Sequence, residues 1–396
     1  MASPAHTEPT DALVVFGATG FTGELTAEYL ARNAPADLRW ALAGRNRQKL
    51  EAVRDRLAAI EPRCAELPLL HADADDPASL RAVAASAKAI ITTVGPYIRF
   101  GEPLVAACAA EGTDYLDLTG EPEFVDRMYV AHHSRAVETG ARIVHACGFD
   151  SIPPDLGAYF TVKQLPEGVP IRVEGFVSAS GLPSGGTLDS ALTAMSRARQ
   201  TLSATRERRS AEPDFAGPRK VGSVKERPRR EPRVGGWALP MPTIDPQIVR
   251  RSARALERYG PDFSYGHYFV VKHLPVALGV VGGLGGLFAL SQLPPARRFI
   301  LSKRASGEGP SAQQREQAWF KLRFIGEGGG ERVLCEVAGG DPGYGETAKM
   351  LAEAALCLVR DELPESAGQV TTAVAMGDAL LERLQRAGIS FKVVEP

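Results

Sequence analysis

Cysteine is scarce in this chain. Five residues, Cys64, Cys108, Cys147, Cys335 and Cys357, are scattered through 396 positions. No CxxC pair or Cys/His cluster has metal-ligand spacing, which excludes a zinc module and a disulfide framework and leaves buried, reduced thiols. Neither sign of charge is in excess, with 46 Lys or Arg against 47 Asp or Glu. The net charge of −1 provides no global attraction to nucleic acid or acidic lipid. The N-terminus, "MASPAHTEPTD", lacks the basic-then-apolar layout of a secretory signal, so a cytoplasmic protein is expected. GxSxG, P-loop and HExxH motifs are absent, which leaves hydrolase and kinase readings without support. With 44 % hydrophobic and 23 % charged residues the composition is that of a soluble globular protein, long enough for two or three domains.

What is present begins at "VVFGATGFTGEL", Val14–Leu25. Residues 12–16 read as a buried parallel strand and 23–32 as the following helix. Gly17 permits a sharp turn, Gly20 leaves room for a pyrophosphate against the backbone, and Gly23 completes a GxxGxxG spacing. Free N–H groups and the positive dipole end of the helix favour an anion there. Thr19, Phe21 and Thr22 fill the turn. A glycine turn alone is also compatible with a structural role. The strand–turn–helix context makes it a dinucleotide site.

The second strand, "LRWALAGR", ends without the Asp or Glu that would bond a ribose 2′-hydroxyl. Arg45 and Arg47 stand there instead, either as 2′-phosphate ligands or as solvated charges opening the helix 46–59. NADP(H) is the expected cofactor. A third strand precedes Asp73, on the adenine side, and a fourth ends in Gly95-Pro96-Tyr97, where the cofactor's pyrophosphate or nicotinamide would lie. Two further short strands, "GTDYLDLTG" and "GARIVHACG", continue a doubly wound α/β sheet to about residue 147.

"VGPYIRFGEPLVAACAAEGTDYLDLTGE" and "CGFDSIPPDLGA", with the early "GATGFTG", resemble the saccharopine dehydrogenase-like oxidoreductases. Within that family they are most similar to the branch containing trans-acting enoyl reductases of lipid polyketide assembly, as are "GGDPGYGETAKMLAEAALCL" and "GDALLERLQRAGISFKV". The resemblance implies a Rossmann domain over 12–150 after a flexible 1–11. It further implies an α+β substrate domain over 151–365, built on a mainly antiparallel sheet, and a C-terminal helix and strand, 366–396, returning to the first domain. Strand-like alternation at 170–180, 318–328 and 332–340, and helical spacing at 345–361 and 371–387, agree with that layout. One phrase departs: "AGQVTTAVAMG", Ala367–Gly377, has threonines where relatives carry proline, so no site contact is borrowed from it.

Enoyl reduction adds hydride at the β-carbon of a thioester and a proton at the α-carbon, so it needs donors at the thioester oxygen and an acid. Tyr97 is the first candidate donor, or else a packed aromatic. Asp150 and Ser151 stand at the domain crossing and serve either catalysis or structure. Asp155 reads as a cap for a helix beginning near Leu156, and Glu121 as a ribose or substrate ligand or a turn residue. Gly185-Gly186-Thr187 reads as a helix cap or second anion site, and His132-His133 as incidental.

From Arg197 to Arg233 there are twelve Lys or Arg and five Asp or Glu. The stretch, with an insertion at 205–235, reads as a solvated loop or as a dock for an acyl carrier protein, a polyketide synthase or anionic headgroups. Leu274–Leu290 is a seventeen-residue uncharged run with five glycines, expected to line a greasy tunnel or dip into a membrane surface rather than span it. Arg297, Arg298, Lys303 and Arg304 follow it as headgroup contacts. No metal and no nucleic acid are expected; a homodimer remains open. The leading reading is an NADPH-dependent enoyl reductase. Its alternatives are a saccharopine-type amino-acid dehydrogenase and a non-catalytic scaffold.

Overall fold

The computed structural model describes residues 11–180, 196–213, 219–276 and 311–395, with a few positions between 278 and 286. The strands are β1 (Asp11–Phe16), β2 (Trp40–Gly44), β3 (Leu69–His71), β4 (Ala87–Thr92), β5 (Asp114–Leu116) and β6 (Arg142–Val144), then β7 (Ile171–Ala179), β8 (Lys220–Ser223), β9 (Arg229–Glu231) and β10 (Gly236–Pro240). After these come β11 (Asp262–Val271), β12 (Phe320–Gly328), β13 (Glu331–Gly339), β14 (Gly368–Val370) and β15 (Ser390–Glu395).

The first sheet runs β14-β6-β5-β4-β1-β2-β3, every pair parallel. Its strands are apolar on both faces because helices cover both. Val14 and Phe16 point to the layer of Pro77–Ser86, Glu102–Glu111 and Pro122–Thr139. Leu13 and Val15 point to the layer of Phe21–Asn33, Arg47–Ile60 and Gly345–Arg360. The strand order reverses between β1 and β4, and a crevice outside their carboxyl ends is where ligands bind in such sheets.

The second sheet runs β15-β13-β12-β7-β11-β10-β9, with β8 on β11. It is antiparallel except where β11 meets β7 and β8. One face packs on the helices Ile152–Val162 and Asp245–Ala255. Its core is continuous with that of the first sheet, so the two layers share one hydrophobic cluster.

Three expectations need correction. The segment 366–396 does not return as one piece: β14 extends the first sheet beside β6, but β15 pairs with β13 in the second. The helix expected at 371–387 is broken into Thr372–Ala375 and Gly377–Arg386, where Gly377 takes a φ of 45°. The stretch 205–235 is not a solvated loop, since a helix, Ala198–Ala211, and two sheet strands lie in its described part. About half of its arginines are absorbed by the fold. Arg208 pairs with Asp126 and Glu212, and Arg219 donates to the carbonyls of Ala253, Leu256 and Gly260. Arg229 lies 4.7 Å from the Tyr268 ring centre and bonds Glu174. Long stems cover apolar surface while the guanidinium heads find acids or carbonyls.

Gly185, Gly186 and Thr187 lie outside the described residues, as do Arg297, Arg298, Lys303, Arg304 and most of 274–290. Leu274, Val276 and Leu278, at the start of that apolar run, are exposed. Among the described residues no helix is long and apolar enough to cross a membrane. All five thiols are buried and free.

Candidate active site

The glycine turn opens the helix Phe21–Asn33, with Gly20 as the N-cap and no side chain capping it. The first four N–H groups of any helix lack intrahelical acceptors, and here that of Gly20 donates to Gly17 O. Among the described residues those of Phe21, Thr22 and Gly23 bond nothing else. The three glycines do different work. Gly17 has a φ of 89°, a left-handed conformation that a side chain would strain. A Cβ on Gly23 would stand 2.1 Å from the Gly17 carbonyl oxygen, so only glycine lets the helix pack on the turn. A Cβ on Gly20 would come no nearer than 3.4 Å to any protein atom. What Gly20 keeps clear is therefore the space outside the turn, where a phosphate would approach. Thr19 and Thr22 flank that space, partly buried. These residues fit a dinucleotide pyrophosphate.

Arg45 follows the last residue of β2, exposed and without an ion pair among the described residues. Arg47 begins the next helix and pairs with Glu51 at 3.1 Å, while Asn46 caps that helix by accepting from the Lys49 N–H. Asp73 stands just beyond β3, whose end is bonded to β2 through Ala72 N–H to Gly44 O. One Asp73 oxygen accepts from the Asp75 N–H. Arg45, Arg47 and Asp73 thus gather at the carboxyl ends of adjacent strands, clear of the core.

Past β4, Thr93 donates to the Gly17 carbonyl and so ties Gly95 and Pro96, joined by a cis bond, to the glycine turn. Tyr97 does not present a free hydroxyl. It is 6 % exposed, donates to Thr92 O at 3.1 Å and accepts from Leu118 N–H at 3.2 Å. Burial and the Asp117 carboxylate hold its pKa well above the ordinary value. In this conformation Tyr97 is a strut between β4 and β5, which corrects its reading as donor. Glu121 is likewise structural: its two oxygens accept from the N–H groups of Tyr97 and Ile98, each at 2.9 Å.

The second half of the chain packs against the start of the helix Phe21–Asn33. The Tyr344 ring meets Phe21 edge-on, with centroids 4.8 Å apart. Tyr344 closes the loop "GGDPGYG", in which Asp341 accepts from the N–H groups of Gly343 and Gly345. A Cβ on Gly148 would strike Leu118 at 2.7 Å and Thr347 at 3.0 Å, and Phe149 N–H donates to Thr347 Oγ1. The turn 148–150 is therefore wedged between the end of β5 and the start of the helix Gly345–Arg360.

Asp150 sits in that turn, half-buried. Burial first, and the Asp245 carboxylate second, push its pKa up to about 7. Ser151 is sealed: its hydroxyl donates to Asp245 Oδ1 at 3.3 Å, so it positions Asp245 rather than facing the crevice. Asp245 also takes the Thr243 hydroxyl, and its Oδ2 lies 3.2 Å from His267 Nε2. Asp155 does not cap its own helix, which begins at Ile152. It accepts from Ser252, from Thr372 Oγ1 at 2.8 Å and from Ala373 N–H at 2.9 Å, with burial raising its pKa to about 6. The threonines that replace proline in 367–377 are thus what Asp155 grips.

Sequence reasoning passed over three members of this region. Tyr344 lies in a quoted phrase, but its contact with Phe21 spans most of the chain. Asp245 reads as an ordinary first-turn acid, and His267 as one residue of an alternating strand. Asp117 and His145, 2.6 Å apart, form a further buried pair that stitches the ends of β5 and β6. His132 lies 3.7 Å from Glu102, and His133 Nδ1 accepts from Gln369 N–H, so that His133 helps hold β14.

The family described as saccharopine dehydrogenase NADP binding domain matches residues 13–144. A trans-acting enoyl reductase of Mycobacterium ulcerans is 38 % identical over 408 residues, covering 95 % of this chain and 96 % of that one. Another, from Mycobacterium bovis, is 37 % identical over 422 residues and 98 % of each chain. A Mycobacterium tuberculosis protein provisionally named a trans-acting enoyl reductase is 43 % identical over 414 residues, 96 % of each. A saccharopine dehydrogenase (L-Glu forming) from Saccharomyces cerevisiae shares the fold, with a TM-score of 0.56 at 13 % identity over 97 % of this chain and 100 % of that one. The chain belongs to the saccharopine dehydrogenase-like oxidoreductases, in the branch of the trans-acting enoyl reductases.

Proposed function

We propose that this protein is an NADPH-dependent enoyl reductase that saturates an α,β-unsaturated acyl thioester of lipid or polyketide assembly, presented on a carrier protein. What supports the reading is an uncapped glycine turn after β1, together with Asp150, a carboxyl pushed up to about 7 in the turn wedged between the end of β5 and the helix Gly345–Arg360. Bound NADPH supplies the hydride. The chain's own groups do the rest. The N–H groups of Phe21, Thr22 and Gly23 hold the pyrophosphate, and Arg45, with Arg47 near, pairs with the 2′-phosphate. The Tyr344 ring packs edge-on against Phe21 and buttresses the start of the helix Phe21–Asn33. As hydride reaches the β-carbon, negative charge develops on the thioester oxygen, and Asp150 in its protonated form delivers a proton to the α-carbon. Solvent re-protonates Asp150 between turnovers. An acid with a pKa near the working pH is the efficient choice for such a transfer.

The amino-acid dehydrogenase alternative is not favoured. The saccharopine dehydrogenase likeness carries the fold alone, whereas the enoyl reductase relatives align over nearly the whole chain.

The test is consumption of NADPH with crotonyl-pantetheine as acceptor, beside NADH and beside Arg45→Ala. Saturable NADPH oxidation is expected, with Arg45→Ala weakening NADPH by about tenfold or more and leaving NADH unchanged. Equal loss for both nucleotides would remove Arg45 from the 2′-phosphate. No turnover of the thioester would remove the reductase reading.

A further inference from the structure

The helix Ala198–Ala211 and its N-cap Arg197 together carry five arginines, and they divide by face. Arg197 and Arg208 point inward. Arg197 forks onto Glu123 at 2.6 and 2.7 Å, and Arg208 lies 2.6 Å from Asp126. Thr205 adds a bond to Asp126 at 2.7 Å. These contacts fasten the helix along Pro122–Thr139. The outward face is different. Arg199, Arg206 and Arg209 are exposed and make no ion pair among the described residues. Their spacing, with Leu202, follows one helical stripe. Leu202 is 58 % exposed in the middle of it. Glu207 is the one acid on the exposed side of the helix, and it is engaged with Ser203.

The position of this stripe matters as much as its charge. Glu123, which holds the first turn of the helix through Arg197, is two residues from Glu121. Glu121 caps the Tyr97–Ile98 turn at the carboxyl end of β4. The N-terminal end of the basic helix is therefore pinned to the rim of the crevice. A macromolecule seated on the stripe would stand beside the opening through which a tethered acyl group must enter.

We propose that the outward face of Ala198–Ala211 is the docking surface for an acidic helix of an acyl carrier protein, with Leu202 as the apolar centre and Arg199, Arg206 and Arg209 as its cationic ring. The proposal rests on the reductase reading for its biological use, and on charge complementarity and placement for its site. Exposed charges of this kind set encounter rate and salt dependence, whereas an exposed leucine within them supplies contact area. The fold gives the same sequence stretch two jobs: inward arginines build, and outward arginines remain free to recruit.

The experiment compares two substrates carrying the same crotonyl group, one on pantetheine and one on an acidic acyl carrier protein. The triple variant Arg199→Gln, Arg206→Gln, Arg209→Gln is measured beside wild type and beside Leu202→Ser. For the carrier-bound substrate KM should rise by about tenfold in the triple variant, and the fall in kcat/KM with added salt should flatten. For the pantetheine substrate both kcat and KM should stay at wild-type values, which also shows that the variant is folded. Unchanged KM for the carrier-bound substrate overturns the proposal. So does retention on phosphatidylglycerol vesicles, lost in the triple variant, without an effect on the carrier, because the stripe would then be a membrane contact. If neither substrate is reduced, the reductase reading fails by itself. Titration of the unloaded carrier protein onto wild type and triple variant then decides the docking, with equal or absent binding refuting it.

Discussion

Replacing Gly20 and Gly23 separately by alanine divides the work of the turn between folding and ligand binding. In Gly23→Ala the new Cβ would lie 2.1 Å from the Gly17 oxygen, 2.8 Å from the Gly17 carbon and 2.9 Å from Thr93 Oγ1. Two of those atoms are backbone, so the helix start must retreat by about 1 Å, at about 1–3 kcal/mol for overpacking. Both melting temperature and NADPH affinity should fall. In Gly20→Ala the nearest protein atom is 3.4 Å away and the backbone, at φ −90° and ψ 159°, is one alanine adopts freely. The weaker N-cap preference of alanine and the smaller entropy of its unfolded chain roughly cancel, leaving stability within about 0.5 kcal/mol of wild type. The methyl group would nevertheless occupy the approach to the free N–H groups. Losing one charge-assisted bond costs about 1.5–3 kcal/mol, or about ten- to a hundredfold in NADPH affinity. Thermal denaturation without nucleotide, paired with NADPH fluorescence titration, reads both quantities. A Gly20→Ala protein that melts like wild type and binds NADPH equally well would refute the placement of the pyrophosphate.

Two other expectations follow from the crevice. Tyr97→Phe removes a strut rather than a donor, so it should lower stability by about 1–2 kcal/mol while changing kcat less than about threefold. A loss of about a hundredfold in kcat would restore Tyr97 to the chemistry. As the proposed acid, Asp150 would act in its protonated form, and its carboxyl is raised to about 7, so kcat should fall as pH rises through that value. Asp245→Asn removes a like charge that raises Asp150, and should move this descending limb to lower pH. A pH profile of kcat in which the limb stays in place would break the link between the two carboxyls.

Much of the fold and part of the site could be read locally. The glycine turn was legible from the residues alone, because a β-branched strand, three spaced glycines and a helix start are neighbours along the chain and their geometry needs no distant partner. The same holds for Arg45 at the tip of β2, since strand and tip are contiguous. The parallel sheet, whose strands are apolar on both faces, was equally legible, as were the alternating strands of the second.

Which polar groups are free depends on packing between distant segments. Tyr97, Glu121 and Ser151 carry chemistry-bearing side chains at plausible places, yet each is consumed by a partner fixed by packing: Thr92 and Leu118, the Tyr97–Ile98 amides, and Asp245. Asp150 owes its raised pKa first to burial and then to Asp245, 95 positions away, and Asp155 meets threonines more than 200 positions along the chain. The seven basic charges in excess over 197–233 could not be sorted by composition, because burial of Arg208 and exposure of Arg206 depend on which face of one helix meets Asp126. Hydrogen-bond satisfaction and desolvation act through space, so the chain order that records strand, turn and helix does not record them.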